Sequence, residues 1–347
     1  MKFSRILYAP NIHQGGGKAL LLPLLDELKH DEEMLFVLDE RMKCGNGVVL
    51  SGQVIRVKAD LLSRVALEWK LQALIKEEAT ILCMGSLPPL WAHDGKQIVF
   101  VQNRYLIDDQ ASHKDFPITV RFRLMVERWW LLSRTRYISR FIVQTSTMCR
   151  LLKDRLDRNS EALPFMVSKT AVTFPNDDKR LFDFIYVASG EPHKNHRNLI
   201  EAWVELAKKN HYPSLRLTLN KEGFPHLCSW MASKIDTYNL NIKLLGELPQ
   251  TEIQELYQKS RAAIYPSIFE SFGLPLLEAV EAGLPVLAAE SDYVWDVVKP
   301  TMTFDPKSSV SIAEAVMNFS FEPAHLAIEL LDAKGFLSAV FSEKQEE

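Results

Sequence analysis

The sequence predicts an α/β chain built from two successive parallel-sheet domains. Short apolar runs of strand length alternate with longer helical stretches along the whole chain. The 347 residues exceed one ordinary core and suit two domains of roughly 150 residues each. The alternation breaks once, near Leu163–Leu181, where Pro164, Pro175 and the polar run Asn176-Asp-Asp-Lys-Arg interrupt it.

In the first half the expected strands are Arg5–Ala9, Met34–Leu38, Ile81–Met84, Ile98–Gln102 and Phe141–Gln144, with helices such as Lys18–Lys29 and Leu61–Glu77 between them. The second half repeats the style. Strands are expected at Phe184–Ala188, Leu215–Leu219, Ile242–Leu245, Ala262–Tyr265 and Val286–Ala289, with helices at Arg197–Asn210 and Thr251–Ser260. These patterns divide the chain into a first Rossmann-like domain over 1–165, a linker over 166–182 and a second Rossmann-like domain over 183–325. A C-terminal helix and tail follow over 326–347, and the two domains are expected to face a cleft.

A hydrophobic content of 47% with 24% charged residues is that of a soluble globular protein. No apolar run reaches the roughly 18 residues that span a bilayer. The first residues enter a strand pattern directly, without the cleavage signature of a signal peptide. Cys44, Cys83, Cys149 and Cys228 lack C-x-x-C spacing and read as thiols of a reducing compartment, so a cytoplasmic protein is expected. Charge is uneven: residues 1–165 carry 24 Lys+Arg against 19 Asp+Glu, and the remainder 17 against 25. The basic first half suits an anionic surface or acceptor.

The chemistry concentrates between Tyr265 and Val286. Ala262-Ala-Ile-Tyr-Pro-Ser reads as a buried strand ending at Pro266, and Ile268-Phe-Glu-Ser-Phe-Gly-Leu as a loop. Pro275 suits the first turn of the next helix, and Gly283 suits its end. The loop therefore sits at the carboxyl end of a parallel strand, where open α/β sheets bind ligands. The helix start offers backbone N–H groups and a partial positive charge to a diphosphate or to sugar oxygens. Gly273 permits close approach. Glu270 in the loop and Glu278 about one turn into the helix can both accept hydrogen bonds from one ligand's hydroxyls. In isolation such a pair of glutamates is an ordinary solvated surface feature. The run around them is not.

Pro266-Ser267, Glu270, Phe272-Gly273-Leu274-Pro275, Glu278-Ala279 and Gly283-Leu284-Pro285-Val286 resemble, without a gap, the donor-binding motif of the family 4 retaining glycosyltransferases, which have the GT-B fold. The resemblance implies a retaining hexosyltransferase. It would move a sugar from a nucleotide-sugar donor to a glycan or lipid-diphosphate-linked acceptor, with bacterial surface polysaccharide or lipopolysaccharide synthesis as the setting. It further implies that Glu270 contacts the donor sugar and Glu278 the ribose, that Ser267 lines the site, and that Phe272, Gly273 and Leu274 offer backbone N–H groups. No metal or other cofactor is implied; the nucleotide sugar is a substrate.

Three further segments resemble family features. Leu244-Leu-Gly-Glu-Leu-Pro-Gln-Thr resembles the family's Gly-x-Leu turn, whose backbone at Gly246 and Leu248 would read the base. Tyr186-Val-Ala-Ser-Gly-Glu-Pro-His-Lys-Asn-His-Arg-Asn-Leu-Ile resembles the loop opening the second domain, and Lys194 matches the lysine directed at the diphosphate, where a cation offsets charge on the leaving phosphate. Many members carry an arginine just after that first strand. Here Ser189 and Gly190 stand in its place beside the donor, and Arg197 is a substitute cation. His193 and His196 alone do not make a metal site. Near the N-terminus, Gly15, Gly16 and Gly17 lie between a strand and a helix, so that Gly16 and Gly17 can approach a phosphate or acceptor closely. This cluster matches no complete dinucleotide or P-loop pattern. After strand Ile98–Val101, Gln102-Asn103 replaces a histidine that many relatives carry, which gives Asn103 an active-site role. A front-face retaining mechanism tolerates the change, because the departing phosphate can take the acceptor's proton.

The stretch Arg121-Phe-Arg-Leu-Met-Val-Glu-Arg-Trp-Trp-Leu-Leu-Ser-Arg-Thr-Arg has two readings. The Arg121–Arg140 region lies on the anionic inner membrane or grips a lipid diphosphate; or it is a domain helix that buries Leu124, Trp129 and Leu131 while its arginines face solvent. Nucleic acid is not an expected partner, since no binding motif accompanies the charge. Two rival functions stay open: a sugar-nucleotide epimerase on the same fold, and a non-catalytic sugar-nucleotide-binding protein derived from the family.

Overall fold

The computed structural model describes residues 2–44, 48–91, 93, 95–112, 114, 116–166 and 180–341. Most of the expected linker, at 167–179, and the end of the expected C-terminal tail, from 342 onward, lie outside the described residues. The chain forms two units, one of residues up to 168 together with those from 329 onward, the other of residues 169–328.

The first unit is a seven-stranded sheet, with every pairing parallel. Its strands are β1 (Phe3–Ala9), β2 (Met34–Asp39), β3 (Gln53–Val57), β4 (Ile75–Cys83), β5 (Lys96–Phe100), β6 (Arg140–Val143) and β7 (Ser160–Ala162), in the order β3-β2-β1-β4-β5-β6-β7. β2 is buried at every position, as a near-continuous apolar run covered on both faces must be. Helices α1 (Gly15–Glu27), α2 (Leu61–Leu74), α3 (Ile118–Arg134) and α4 (Ser146–Leu156) connect the strands. Leu67 and Leu71 of α2 share one core cluster with Leu124 and Leu131 of α3. Trp129, assigned to the core in the second reading of α3, is 69% exposed.

The second unit carries a six-stranded parallel sheet. Along the chain run β8 (Phe182–Tyr186), α5 (His196–Lys208), β9 (Leu215–Leu217), α6 (Pro225–Tyr238), β10 (Ile242–Leu244), α7 (Gln250–Lys259) and β11 (Ser260–Tyr265). They are followed by α8 (Leu274–Glu281), β12 (Val286–Ala289), α9 (Asp292–Val297), β13 (Val298–Lys299), β14 (Met302–Phe304), α10 (Ser309–Asn318) and β15 (His325–Leu326). The sheet order is β10-β9-β8-β11-β12-β14, and β13 pairs antiparallel with β15 outside it.

The last described helix, α11 (Ala333–Phe341), belongs to the first unit although it follows the second unit in the sequence. Phe336 lies between Phe100 of β5, at 5.3 Å between ring centroids, and Phe165, at 4.2 Å. Arg140 of β6 donates to the Ala339 carbonyl at 2.9 Å. The sequence set this segment apart as a separate helix and tail; its aromatic side chain instead completes the first unit's core.

In each sheet the strand order reverses at one place, between β1 and β4 in the first unit and between β8 and β11 in the second. Loops leaving the carboxyl ends of such strand pairs diverge and leave a crevice for a ligand.

Candidate functional site

In the second unit the crevice lies between the loop after β8 and the loop after β11. Lys194 stands on the first and Glu270 on the second, and their side chains meet: Lys194 Nζ lies 2.5 Å from Glu270 Oε1. Both are largely buried, at 15% and 12% side-chain exposure. The same oxygen accepts from Tyr265 Oη at 3.1 Å. Ser267 Oγ is 2.7 Å from that oxygen and 3.1 Å from the His193 carbonyl, so its single proton serves one acceptor at a time. Burial pushes the Glu270 carboxyl up, but Lys194, the neighbouring His193 and the hydrogen bonds of Lys194 and Ser267 outweigh it and hold the carboxyl below its ordinary value. Glu270 is thus an ionised acceptor fixed in position.

The two loops are stitched by their backbones. Ile268 N–H donates to the His193 carbonyl at 2.8 Å. Asn195, in the left-handed region at φ 61°, sends its side-chain amide to the Pro266 carbonyl at 3.0 Å. Tyrosines support them from below: Tyr186 Oη donates to the Lys194 carbonyl at 2.8 Å and Tyr293 Oη to the Ser267 carbonyl at 2.6 Å. The Tyr186 and Tyr265 rings meet edge to face at 5.5 Å. Burial, then the Glu270 charge, raises the Tyr265 phenol well above its ordinary value and keeps it a donor.

Pro275 lies in the first turn of α8, as expected, and Gly283 follows the helix at φ 71°. The N-cap, Gly273, has φ 79°, and a Cβ there would sit 3.2 Å from Leu276 Cδ1. Glycine is needed for the turn. No side chain caps this helix start. Pro275 has no N–H and the Leu276 N–H donates to the Gly273 carbonyl at 2.9 Å, so the N–H groups this start can offer a ligand are those of Gly273 and Leu274. Phe272 is buried at 3% exposure and Leu274 is half-buried, so these two offer backbone rather than side chain.

Glu278, in the body of α8, is held from α7. Gln250 Nε2 donates to its Oε1 at 2.6 Å, and Tyr257 Oη lies 3.4 Å from its Oε2. Gly246 has φ 81° with no atom within 4 Å of its missing Cβ. Its turn, with half-buried Leu248, leads into α7 and hence to Gln250. The structure therefore joins the expected base-reading turn to the expected ribose carboxylate through Gln250 and Tyr257. Sequence reasoning missed both. The one available signal was their position within the helix that follows the Gly-x-Leu turn.

Other residues play parts that the sequence did not show. A Cβ on Gly190 would lie 2.4 Å from Phe224 Cγ, so the protein's own aromatic ring takes that space. Ser189 bonds Glu191. Arg197 stacks on Trp230 of α6 at 4.7 Å, so in this structure its charge serves the α5–α6 packing. His196 is buried against the Tyr186 ring at 5.1 Å, and burial lowers its pKa to about 3, leaving it neutral.

In the first unit the loops after β1, β4 and β5 converge. Asn11 donates to the Gly85 carbonyl at 3.1 Å, and Ser86 Oγ accepts from the Gln102 and Asn103 N–H groups at 2.9 and 3.0 Å. Asn103 Oδ1 accepts from Tyr105 N–H at 3.1 Å and so caps a short turn over Arg104–Leu106. Gly16 and Gly17 lie within the first turn of α1, which starts at Gly15 rather than at Lys18. Gln102 Oε1 lies 3.4 Å from the position of a Gly17 Cβ. Asn103, Gly16 and Gly17 belong to this unit; Glu270, Lys194, Glu278 and the remaining candidates belong to the other.

Residues 171–325 match the family model described as Glycosyl transferases group 1. The chain is 29% identical over 157 residues to the O-antigen chain mannosyltransferase B of Escherichia coli, covering 44% of this chain and 41% of that protein. It is 26% identical over 147 residues to a glycogen synthase of Mycobacterium tuberculosis, covering 41% and 34% respectively. The matched region thus spans well under two thirds of either relative. Among solved structures, Anabaena Alr3699/HepE in complex with UDP-glucose superposes with a TM-score of 0.68 at 14% identity, covering 90% of this chain and 88% of that one. The lipopolysaccharide outer core galactosyltransferase WaaB superposes with a TM-score of 0.60 at 13% identity, covering 91% and 90%. The second unit is therefore similar in sequence to the group 1 glycosyl transferases, and the chain shares the GT-B fold, two parallel α/β units, with solved glycosyltransferases.

Proposed function

We propose that this protein is a retaining glycosyltransferase that moves a hexosyl group from a nucleotide-sugar donor to a hydroxyl of a glycan or lipid-diphosphate-linked acceptor, in the synthesis of a bacterial surface polysaccharide. The observation that carries the reading is the Lys194–Glu270 pair at the strand-order reversal of the second unit. The O-antigen mannosyltransferase relative and the UDP-glucose-bound structural neighbour support it. The proposed compartment is the cytoplasm, at the inner face of the plasma membrane; among the described residues no helix is long and apolar enough to cross a membrane.

In this reading the α8 N–H groups and Lys194 meet the diphosphate, Glu270 accepts from the sugar hydroxyls and Glu278 from the ribose. The bond from the anomeric carbon to the phosphate oxygen breaks while the acceptor oxygen attacks from the same face. The leaving phosphate takes the acceptor's proton, so the protein supplies electrostatics and position rather than a base. Lys194 offsets the charge that grows on the phosphate. Asn103, Gly16 and Gly17 are assigned with the first unit to the acceptor side, and no metal is required.

A thermal-unfolding screen against UDP-, GDP- and dTDP-sugars tests the donor assignment. One base class should raise the midpoint in a concentration-dependent way, and Glu278→Ala should abolish that rise. A flat response to every nucleotide sugar would remove the donor reading.

A further inference from the structure

α3 is apolar on two sides. Leu124 and Leu131 are in the core at 6% and 0% exposure, whereas Ile118, Phe122, Met125, Trp129 and Leu132 are 79%, 63%, 58%, 69% and 37% exposed. Steps of four, three, four and three residues place these five on one stripe of the helix, about 21 Å long and turned away from the two buried leucines. Neighbouring α2, packed on the same face of the sheet, adds Leu62 and Trp69 at 81% and 67% exposure. Soluble monomers rarely present so long a row of large apolar side chains unless something covers it.

The charges around the stripe indicate what covers it. α3 carries four arginines against a single glutamate. Arg121 is exposed at the edge of the stripe, Arg123 is exposed farther round the helix on its other side, and Arg136 is exposed just beyond the helix end. Glu127 is largely withdrawn, 23% exposed and 3.7 Å from Arg123. Exposed apolar and aromatic side chains with exposed guanidinium groups on the same helix and just past its end complement a surface with an apolar interior and anionic headgroups.

We propose that α3 is the docking surface for an anionic lipid bilayer, with the Phe122–Trp129 stripe entering the headgroup boundary and Arg121, Arg123 and Arg136 meeting lipid phosphates. The inference carries the peripheral setting of the proposed function further, yet it rests on α3 and not on sugar transfer.

The test is co-sedimentation of the full chain with vesicles of phosphatidylglycerol and phosphatidylethanolamine, against vesicles of phosphatidylcholine alone. Binding to the anionic vesicles should be at least roughly tenfold tighter and should weaken with added salt. The double variant Phe122→Ser, Trp129→Ser should lose about tenfold or more on anionic vesicles with its thermal transition unchanged, since both side chains face water. Arg121→Gln with Arg123→Gln should erase the preference for anionic lipid. The proposal is overturned if the parent stays in the supernatant, or if the aromatic variant binds as the parent does. It is also overturned if the parent is a dimer in solution that the aromatic variant converts to monomer, since a second copy then covers the stripe. No donor enters the assay, so a failed vesicle result leaves the donor site standing, and an inert donor site leaves vesicle binding standing.

Discussion

At the scale of single residues, Glu270 is decided by a contest between burial and charge. Burial alone favours the neutral acid, and Lys194, 2.5 Å away, reverses that outcome. The consequence for stability has a definite sign. With its folded pKa held below the ordinary carboxylate value, Glu270 contributes stability that is present above the unfolded value and is lost as pH falls through the folded value. In Lys194→Met burial is opposed only by His193 and the Ser267 hydrogen bond, so the folded pKa rises and the stability that the carboxylate contributes shrinks. Urea unfolding across the acid range should therefore show a smaller pH-dependent contribution, the one that Glu270→Gln removes, in the variant than in the parent; equal contributions would refute the pairing. Tyr257 makes a second residue-level case, since its hydroxyl touches both Glu278 and the Pro275 carbonyl. Tyr257→Phe should raise the donor KM by about three- to tenfold with kcat nearly kept, as expected for a lost orienting hydrogen bond of about 1 kcal/mol.

At the scale of elements, the donor loops were legible because their constraints are local. Pro275 and Gly283 mark a helix start and stop through backbone rules that act within a few residues, and the helix runs Leu274–Glu281. The apolar runs of β1, β2, β11 and β12 were legible for the same reason. β3 has only Val57 buried, and β7 has no fully buried residue, so neither carries a strong apolar signal; both escaped. α2 was expected to reach Glu77, but β4 begins at Ile75, where pairing with Phe3 of β1 takes over from a helix-compatible sequence. Contacts between distant loops were invisible too. Gly190 looked like a ligand-facing glycine, but the neighbour that demands it is Phe224, just before α6. Gly190→Ala should destabilise the second unit by about 1–3 kcal/mol through overpacking, and adding Phe224→Ala should recover part of that loss in a chemical-denaturation series. Equal instability of the single and double variants would show that the backbone, not the ring, sets the glycine.

At the scale of the whole molecule, α/β class and two sheets followed from alternation and length, whereas the return of the chain end to the first unit did not. Nothing local to Ala333–Phe341 says that Phe336 will sit between Phe100 and Phe165; that pairing joins residues far apart in sequence. Phe336→Ala should cost about 3–5 kcal/mol and lower the thermal transition of the first unit, which calorimetry would register; an unchanged transition would mean that α11 contributes little to that core. The functional reading depends most on one constellation, Glu270 held by Lys194 beside the uncapped start of α8. Its most direct test is single-turnover sugar transfer with whichever donor stabilises the protein, in the parent and in Glu270→Gln, with donor affinity measured alongside. The expected result is transfer by the parent and a loss of roughly a hundredfold or more in rate in a Glu270→Gln protein that still binds the nucleotide. Undiminished transfer by Glu270→Gln would contradict the assignment, and so would a parent that binds the donor and never releases its sugar.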